Sequence, residues 1–351
     1  MIFKKQDNTV KDNILENGFS INSIELRISS FLSEISTKFN NTDIWQKNYV
    51  SARFGKSKAS AAIVLRATNG QLDLAVKYIA NKGNDRAQGV TGEYEHLQQV
   101  FNSLSARHKD VVPRPLHADR DAYAVEWVDL PVMKSQLVWG RFISPHRLSC
   151  LEAAARALKL IHQATAQCDR PLDLPRYIAD ARRSGATAAS WKQSLERLVK
   201  ISKKFEGVPV PHCRLHGDYS PENLLFSNKK IVVIDFSVDL NGPVYHDMCH
   251  CIMYFSFYCN NIFDNTFKLL RSDMEAFRCA YSGTDTPAHS DAFMLMQWAV
   301  MLTRWGRHEA KSRDPERASK LRALDWYFAR QLEACCLGLQ EALSRDSTQG
   351  M

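Results

Sequence analysis

Two carboxylates and a carboxamide define the chemistry open to this sequence. In His216-Gly217-Asp218-Tyr219-Ser220-Pro221-Glu222-Asn223 a carboxylate and a carboxamide stand five residues apart in a loop, and Val232-Val233-Ile234-Asp235-Phe236 ends an apolar strand on a second carboxylate. Phosphoryl transfer from ATP needs such a set: one carboxylate to orient the acceptor hydroxyl and take its proton, and oxygen ligands to hold Mg²⁺ on the phosphates. Asp218 fits the first role, and Asn223 and Asp235 fit the second. Ligands that are all oxygen select a hard cation rather than zinc.

The elements that must position these groups can be read from hydrophobic period. Residues 1 to about 45 carry a helical pattern at Ile21, Ile24, Ile28, Phe31, Leu32 and Ile35, and read as an N-terminal extension (1–45) without chemistry of its own. From Tyr49 the pattern is β-type: Tyr49–Phe54, Ala61–Ala67 and Leu72–Ile79, the last two joined through Asn69-Gly70, a pair that tolerates positive φ and signals a hairpin. A helical stretch from about Gln88 to Ser105 leads through Pro113 and Pro115 to a strand at Ala122–Val128, and this β-rich unit, 46–130, ends near Leu130-Pro131. The remainder, 131–351, is mostly helical, beginning with Leu148–Ala164, whose Leu151, Ala154, Ala155, Leu158 and Ile161 make one apolar face. A short β-like insertion, Leu224–Phe226 and Ile231–Ile234, precedes helical stretches around 247–258, 263–281, 291–308 and 314–345. The reading is an α+β chain with a small antiparallel β lobe and a larger helical lobe.

Composition narrows the classes. With 351 residues, 45% apolar and 24% charged, and only 15 Gly and 12 Pro, the chain can bury a core and is neither fibrous nor low in complexity. The longest nearly uncharged apolar stretch, Cys249–Tyr258, is too short for a bilayer span, and charge at Met1–Asn8 stands where a secretory signal needs apolar residues, so a cytoplasmic protein without membrane association is expected. Nine scattered cysteines without CxxC spacing read for the most part as buried thiols. The net charge of +8 divides into +2 up to Leu130 and +6 beyond it, which suits an anionic ligand and gives no basic nucleic-acid arm.

HGDYSPEN followed by VVIDF resembles the catalytic and metal-binding loops of the aminoglycoside phosphotransferase and choline kinase-like family, small-molecule kinases with a protein-kinase-like fold. His-Gly-Asp in place of His-Arg-Asp favours a small-molecule hydroxyl acceptor over a protein. The family's Gly-Asp-Pro-x-x-Asp segment has a counterpart in Asn241-Gly242-Pro243-Val244-Tyr245-His246-Asp247, which lacks the intervening Asp; the resemblance makes Asp247 a carboxylate bracing the catalytic loop. It also makes Lys77, in Leu74-Ala75-Val76-Lys77-Tyr78, the lysine that meets the α- and β-phosphates, with Glu93 as its helix partner and Glu95 as the competing choice. Gly55 and Ser57, in Arg53-Phe54-Gly55-Lys56-Ser57-Lys58, would cover the phosphates with a loop containing one glycine. Gly55-Lys56-Ser57 is not a P-loop, because Val50 stands where that motif needs its first glycine. Ala124–Val128 resembles the interlobe hinge, with the main chain of Glu126 and Val128 meeting adenine, and Leu160-Ile161-His162 reads as packing. The implied cofactors are ATP and Mg²⁺.

Other constellations read more plainly. His246, Cys249, His250 and Cys251 lack a second pair at zinc-ligand spacing, and on a helix the two thiols point about 200° apart. Met294, Trp298, Leu302 and Trp305 read as core or as the wall of an acceptor cleft. Lys311 and Arg313, with Arg304, Arg307, Arg317 and Lys320 nearby, form either a solvated helical face or the receptor for an anionic acceptor. A nucleotide-binding protein without turnover and a protein kinase stand as the alternative functions. The second is disfavoured because 12 residues from Asp235 to Asp247 leave little room for an activation segment.

Overall fold

The structure, a computed structural model, describes residues 2–41, 44–54, 60–81, 90–140, 144–228, 230–237, 240–259, 266–282 and 290–349. The chain forms two compact units, Met1–Leu130 with Val232–Asp239, and Pro131–Ile231 with Leu240–Met351.

In the first unit, β1 (Gln46–Phe54), β2 (Ser60–Thr68) and β3 (Asp73–Asn81) pair antiparallel and continue through β5 (Ala122–Glu126) to β4 (Pro115–Ala118), giving a five-stranded sheet of order β1-β2-β3-β5-β4. β2 and β3 form the expected hairpin, joined through residues 69–72. Gly70 takes the left-handed backbone (φ 88°), and the Asn69 side chain accepts from the Gln71 and Leu72 N–H groups at 3.2 and 2.8 Å. Strand alternation divides the sheet into two faces. Ile63, Leu65 and Ala67 on β2 and Leu74 and Val76 on β3 are buried on one face, in a core shared with Ile24, Ile28, Phe31, Leu32 and Ile35 of α2 (Ile21–Lys38) and Ile14 of α1 (Ile2–Glu16). Residues 1–45 therefore supply two helices to this unit's core. α2 starts on a Ser20 side chain that accepts from Ser23 N–H, and its apolar residues recur every three or four positions. The opposite face carries Lys77 beside Tyr123, its register partner on β5. The helix expected from Gln88 is α3 (Thr91–Ser103); residues 88 and 89 lie outside the described set.

The second unit is helical, with three short β pairs among the described residues, one of them using β10, whose Val232 and Val233 are counted with the first unit. Its elements are α4 (Met133–Gly140), α5 (Ser144–Ala164), β6 (Arg170–Pro171), α6 (Leu174–Arg183), α7 (Ala189–Ser202), β7 (Pro209–Val210), β8 (His212–Arg214), β9 (Leu224–Ser227), β10 (Lys230–Val233), β11 (Asn241–Pro243), α8 (Tyr245–Cys259), α9 (Thr266–Ser282), α10 (Ser290–Ser312) and α11 (Ser319–Gln349). β6 pairs with β7, β8 with β11 and β9 with β10. The predicted apolar face of α5 is buried, with Leu151, Ala154, Ala155, Leu158 and Ile161 all fully inside. On α10, Trp298, Leu302 and Trp305 are core residues, and the Trp191 and Trp298 indoles donate to the Leu302 carbonyl and to Ser194 Oγ, each at 2.9 Å. The last helix starts at Ser319, not at 314, because Asp314-Pro315 closes a turn. Among the described residues, no helix is long and apolar enough to cross a membrane.

Candidate active site

In the first unit the sheet's open face gathers three charges. Lys77 Nζ donates to Glu93 Oε2 at 2.5 Å and to Asp235 Oδ1 at 2.6 Å, and Tyr123 O–H donates to Glu93 Oε2 at 3.5 Å. Glu95, two positions along α3 and so on its other side, is exposed; Glu93 is the lysine's partner. Burial opposes the Lys77 charge, but the surrounding groups, Asp235 and Glu93 among them, outweigh it and hold the ammonium firmly protonated. Burial also lifts the Glu93 carboxyl above its ordinary range, against the pull of Lys77. Asp235 sits in the left-handed backbone region at φ 65°, a conformation uncommon for a residue with a side chain. His96 of α3 holds the segment around it: its Nδ1 bonds the Ser237 carbonyl at 2.9 Å, and its ring meets Phe236 edge-on at 5.0 Å.

The end of β5 leaves a main-chain edge. Glu126 N–H donates to the Arg114 carbonyl at 3.0 Å and Trp127 N–H to the Asp73 carbonyl at 2.8 Å, which makes Leu74 and Glu126 a non-hydrogen-bonded pair and turns the Glu126 carbonyl away from β3. The Val128 carbonyl accepts from Leu130 N–H at 3.0 Å, and Val128 N–H has no main-chain partner among the described residues. Gly55 and Ser57, expected in a loop over the phosphates, lie outside the described residues.

In the second unit a tight turn presents Asp218. Gly217 adopts φ 84°, a value open to glycine without strain, and the flanking N–H groups are tied down. Asp247 accepts from His216 N–H through Oδ2 at 2.8 Å and from Gly217 N–H through Oδ1 at 2.9 Å. His162 Nε2 meets the same Oδ2 at 3.1 Å while its Nδ1 meets the Tyr281 hydroxyl at 2.8 Å. An ionised Asp247 only accepts, so the His162 nitrogen that faces it, Nε2, carries a hydrogen and donates. Burial alone would raise Asp247; the His162 hydrogen bond and the imidazoles around it outweigh that and hold the carboxyl well below its ordinary range. His162, read as packing, is thus a positioning residue. No local signal marked it, since its partner lies 85 positions on.

Asn223 faces Asp218 across the loop. Its amide nitrogen donates to the Asp218 carbonyl at 2.9 Å and to Oδ2 at 3.1 Å, which fixes the carboxylate and leaves Oδ1 as the acceptor of the carboxamide. Asn223 is buried and Asp218 half-buried, so the first is held rigid while the second can meet a substrate. Lys134 pairs with Glu222, and Tyr219 O–H anchors the turn to the Ala154 carbonyl at 2.7 Å.

Asn223 and Asp235 offer oxygen donors of the kind a hard divalent cation takes. Cys249 and Cys251 are fully buried with thiols pushed up by burial, and no group of three or more His, Cys, Asp or Glu among the described residues is arranged to hold a metal ion. A cavity of about 290 Å³ in this unit is lined by Arg170, Arg176, Tyr177, His212 and Asn241 among others, and by none of the sequence-predicted site residues.

The family model of the phosphotransferase enzyme family (APH) matches residues 56–275. A putative aminoglycoside phosphotransferase from Ralstonia eutropha is similar in structure, with a TM-score of 0.56 at 13% identity over 86% of this chain and 94% of its own. A choline/ethanolamine kinase family protein from Mesorhizobium loti has a TM-score of 0.53 at 17% identity over 80% and 85%. A curated relative, the N-acetylmuramate/N-acetylglucosamine kinase of Pseudomonas aeruginosa, is 36% identical over 64 residues, a match that spans 18% of either chain. The solved structures carry the fold, a protein-kinase-like α+β architecture, and the family match carries the membership: the chain belongs to the phosphotransferase enzyme family.

Proposed function

We propose that the protein transfers the γ-phosphoryl group of ATP, with Mg²⁺, to a hydroxyl of a small molecule. The observation that carries this reading is Lys77 held between Glu93 and Asp235: an ammonium clamped by a helix glutamate and placed beside an acidic metal ligand. Lys77 takes the α- and β-phosphates, and Glu93 keeps its Nζ aimed at them. The main chain at Glu126 and Val128 pairs with adenine. Asp218 hydrogen-bonds the acceptor hydroxyl, aligns its oxygen on the γ-phosphorus, and accepts its proton as the P–O bond forms and the bond to the leaving ADP oxygen breaks. Asn223 and Asp235 would hold Mg²⁺, which when bound neutralises charge on the phosphates. Most of the rate then comes from positioning and charge stabilisation rather than covalent chemistry by the protein.

The test is Asp218→Asn in the full chain. Nucleotide affinity is expected to stay within a few-fold of wild type, while phosphoryl transfer followed by ³¹P detection over an acceptor panel falls by about 10³-fold or more. Turnover near the wild-type level would remove Asp218 from the reaction. Nucleotide binding by wild type with no transfer or ATP consumption at all would favour a non-catalytic binder.

A further inference from the structure

The basic residues near the C-terminus divide into two sets. Arg313 pairs with Glu309, Arg317 pairs with Asp325 at 2.8 Å, and His308 meets the other oxygen of Asp325 at 2.9 Å, so this part of the patch is neutralised within the fold. Arg304 differs. It is half-buried on α10, no carboxylate stands within ion-pair distance of it among the described residues, and its guanidinium lies 5.3 Å from the centroid of the Tyr254 ring.

Tyr254 ends a ladder of rings on one face of α8. His246 and His250 stack at 4.6 Å, and His250 meets Tyr254 edge-on at 6.3 Å, the i, i+4, i+8 spacing of one helical stripe. Burial, with Arg304 contributing, holds both imidazoles below their ordinary values, so they add no charge at neutral pH. The Tyr254 hydroxyl, raised mainly by burial, lies in the field of Arg304 and also of Asp218 and Glu222. α8 thus carries, about two turns apart on one side, both the Asp247 that holds the Gly217 N–H beside Asp218 and the Tyr254 ring that lies under Arg304. Glu222 does not neutralise Arg304, being paired with Lys134.

A partly desolvated guanidinium without a counter-ion is costly, and its planar fork fits a carboxylate or phosphate through two parallel hydrogen bonds. The helix that carries it is fixed: Trp305 is buried beside it, and Gly306 lies so close to Ser184 that a Cβ there would meet Ser184 Oγ at 1.7 Å. Arg307, one turn on and exposed, adds positive potential at the approach.

Resting on the phosphotransferase reading, we propose that Arg304, stacked on Tyr254, selects the acceptor, and that the acceptor carries an anionic group, carboxylate or phosphate, beside the hydroxyl it presents to Asp218. Polycationic acceptors are disfavoured by the same charge.

The experiment compares acceptors that differ only in the anionic group: uronic acids and sugar phosphates against their neutral sugars, and N-acetylmuramate against N-acetylglucosamine. Binding is read by calorimetry and transfer by ³¹P detection, for wild type, Arg304→Gln and Arg304→Lys. Wild type is expected to bind at least one anionic member at millimolar concentration and to prefer it to its neutral parent by about tenfold or more. Arg304→Gln abolishes that preference, Arg304→Lys restores it in part, and Mg-ATP affinity stays at the wild-type value in both. Sugar phosphates and carboxylates in the panel tell the two anions apart. The inference is overturned if neutral members bind as well as anionic ones, if Arg304→Gln leaves the ratio unchanged, or if no anionic member binds. Anion-selective binding lost in Arg304→Gln but without transfer to any member would defeat the phosphotransferase reading alone. Transfer confined to neutral or cationic acceptors would defeat this inference alone.

Discussion

At the residue scale, Lys77 and Asp247 do opposite work with buried charge. Lys77 balances two carboxylates, at 2.5 and 2.6 Å, and removing it leaves Glu93 and Asp235 as neighbouring like charges. Lys77→Ala is expected to lower kcat/KM for Mg-ATP by about 10²-fold or more, and Lys77→Arg not to restore it, because a planar fork cannot take the place of a point charge held between two acids. Steady-state kinetics on folded protein check this, and a Lys77→Ala enzyme within threefold of wild type would take Lys77 out of the nucleotide site. Asp247 is the fully buried carboxylate that holds His216 and Gly217, and its carboxyl is depressed in the folded chain. A depressed carboxyl adds stability that is complete above its unfolded value and is lost as pH falls below it. The unfolded reference is 3.8, so this contribution should decline below about that pH. Asp247→Asn sets an amide N–H₂ against backbone donors, with an expected loss of about 3–5 kcal/mol at pH 7 in urea melts. The variant should also lack the steep acid decline below pH ~4 that this group gives wild type. An unchanged acid limb in the variant would mean that Asp247 does not carry that linkage.

At the scale of elements, close backbone approach matters as much as side-chain chemistry. α10 packs on the segment after α6 through Gly306, where an added Cβ would meet Ser184 Oγ at 1.7 Å, Ser184 Cβ at 2.6 Å and Ala186 Cβ at 3.2 Å. Gly306→Ala should destabilise by about 1–3 kcal/mol in denaturant melts, the cost of overpacking, and Ser184→Gly in the same chain should recover most of that. Additive losses in the double variant would place the strain elsewhere. This packing had no sequence signal, since a lone glycine within a helical pattern reads only as lowered propensity. Elements with many periods were legible: the three β runs from Tyr49, the apolar face of α5, and the strand pair around Val232 all stand close to where alternation put them. α6 and α7 were missed. α6 is ten residues long, and its start signal, Asp173 capping Arg176 N–H with Pro175 inside the first turn, is local and easily passed over between apolar runs. The residues proposed for the chemistry were found in a different way: Asp218, Asn223 and Asp235 sit in motifs whose order suggests phosphoryl transfer, whereas the bond of His162 to Asp247 has no local pattern.

At the scale of the molecule, the N-terminal segment is part of the machinery that presents Lys77. The sheet of the first unit has one face for chemistry and one for the core, and Ile24, Ile28, Phe31, Leu32 and Ile35 of α2 cover the second. Fully burying each such side chain is worth about 1.5–3 kcal/mol, so five of them together are of the same order as the ~5–15 kcal/mol that holds an ordinary domain together. Without α2, Ile63, Leu65 and Val76, which are fully buried, would face water. A chain lacking residues 1–41 is therefore expected to lose nucleotide binding and to aggregate, although none of those residues is assigned to the site. Phe31→Ala gives the graded version: a loss of about 3–5 kcal/mol in denaturant melts with Mg-ATP affinity near wild type while the protein stays folded, because the cavity opens on the face away from Lys77. If Phe31→Ala weakened nucleotide binding tenfold without loss of stability, the two faces of the sheet would be coupled more directly than packing implies. If the shortened chain remained soluble and bound Mg-ATP, the N-terminal helices would have another purpose than closing this core.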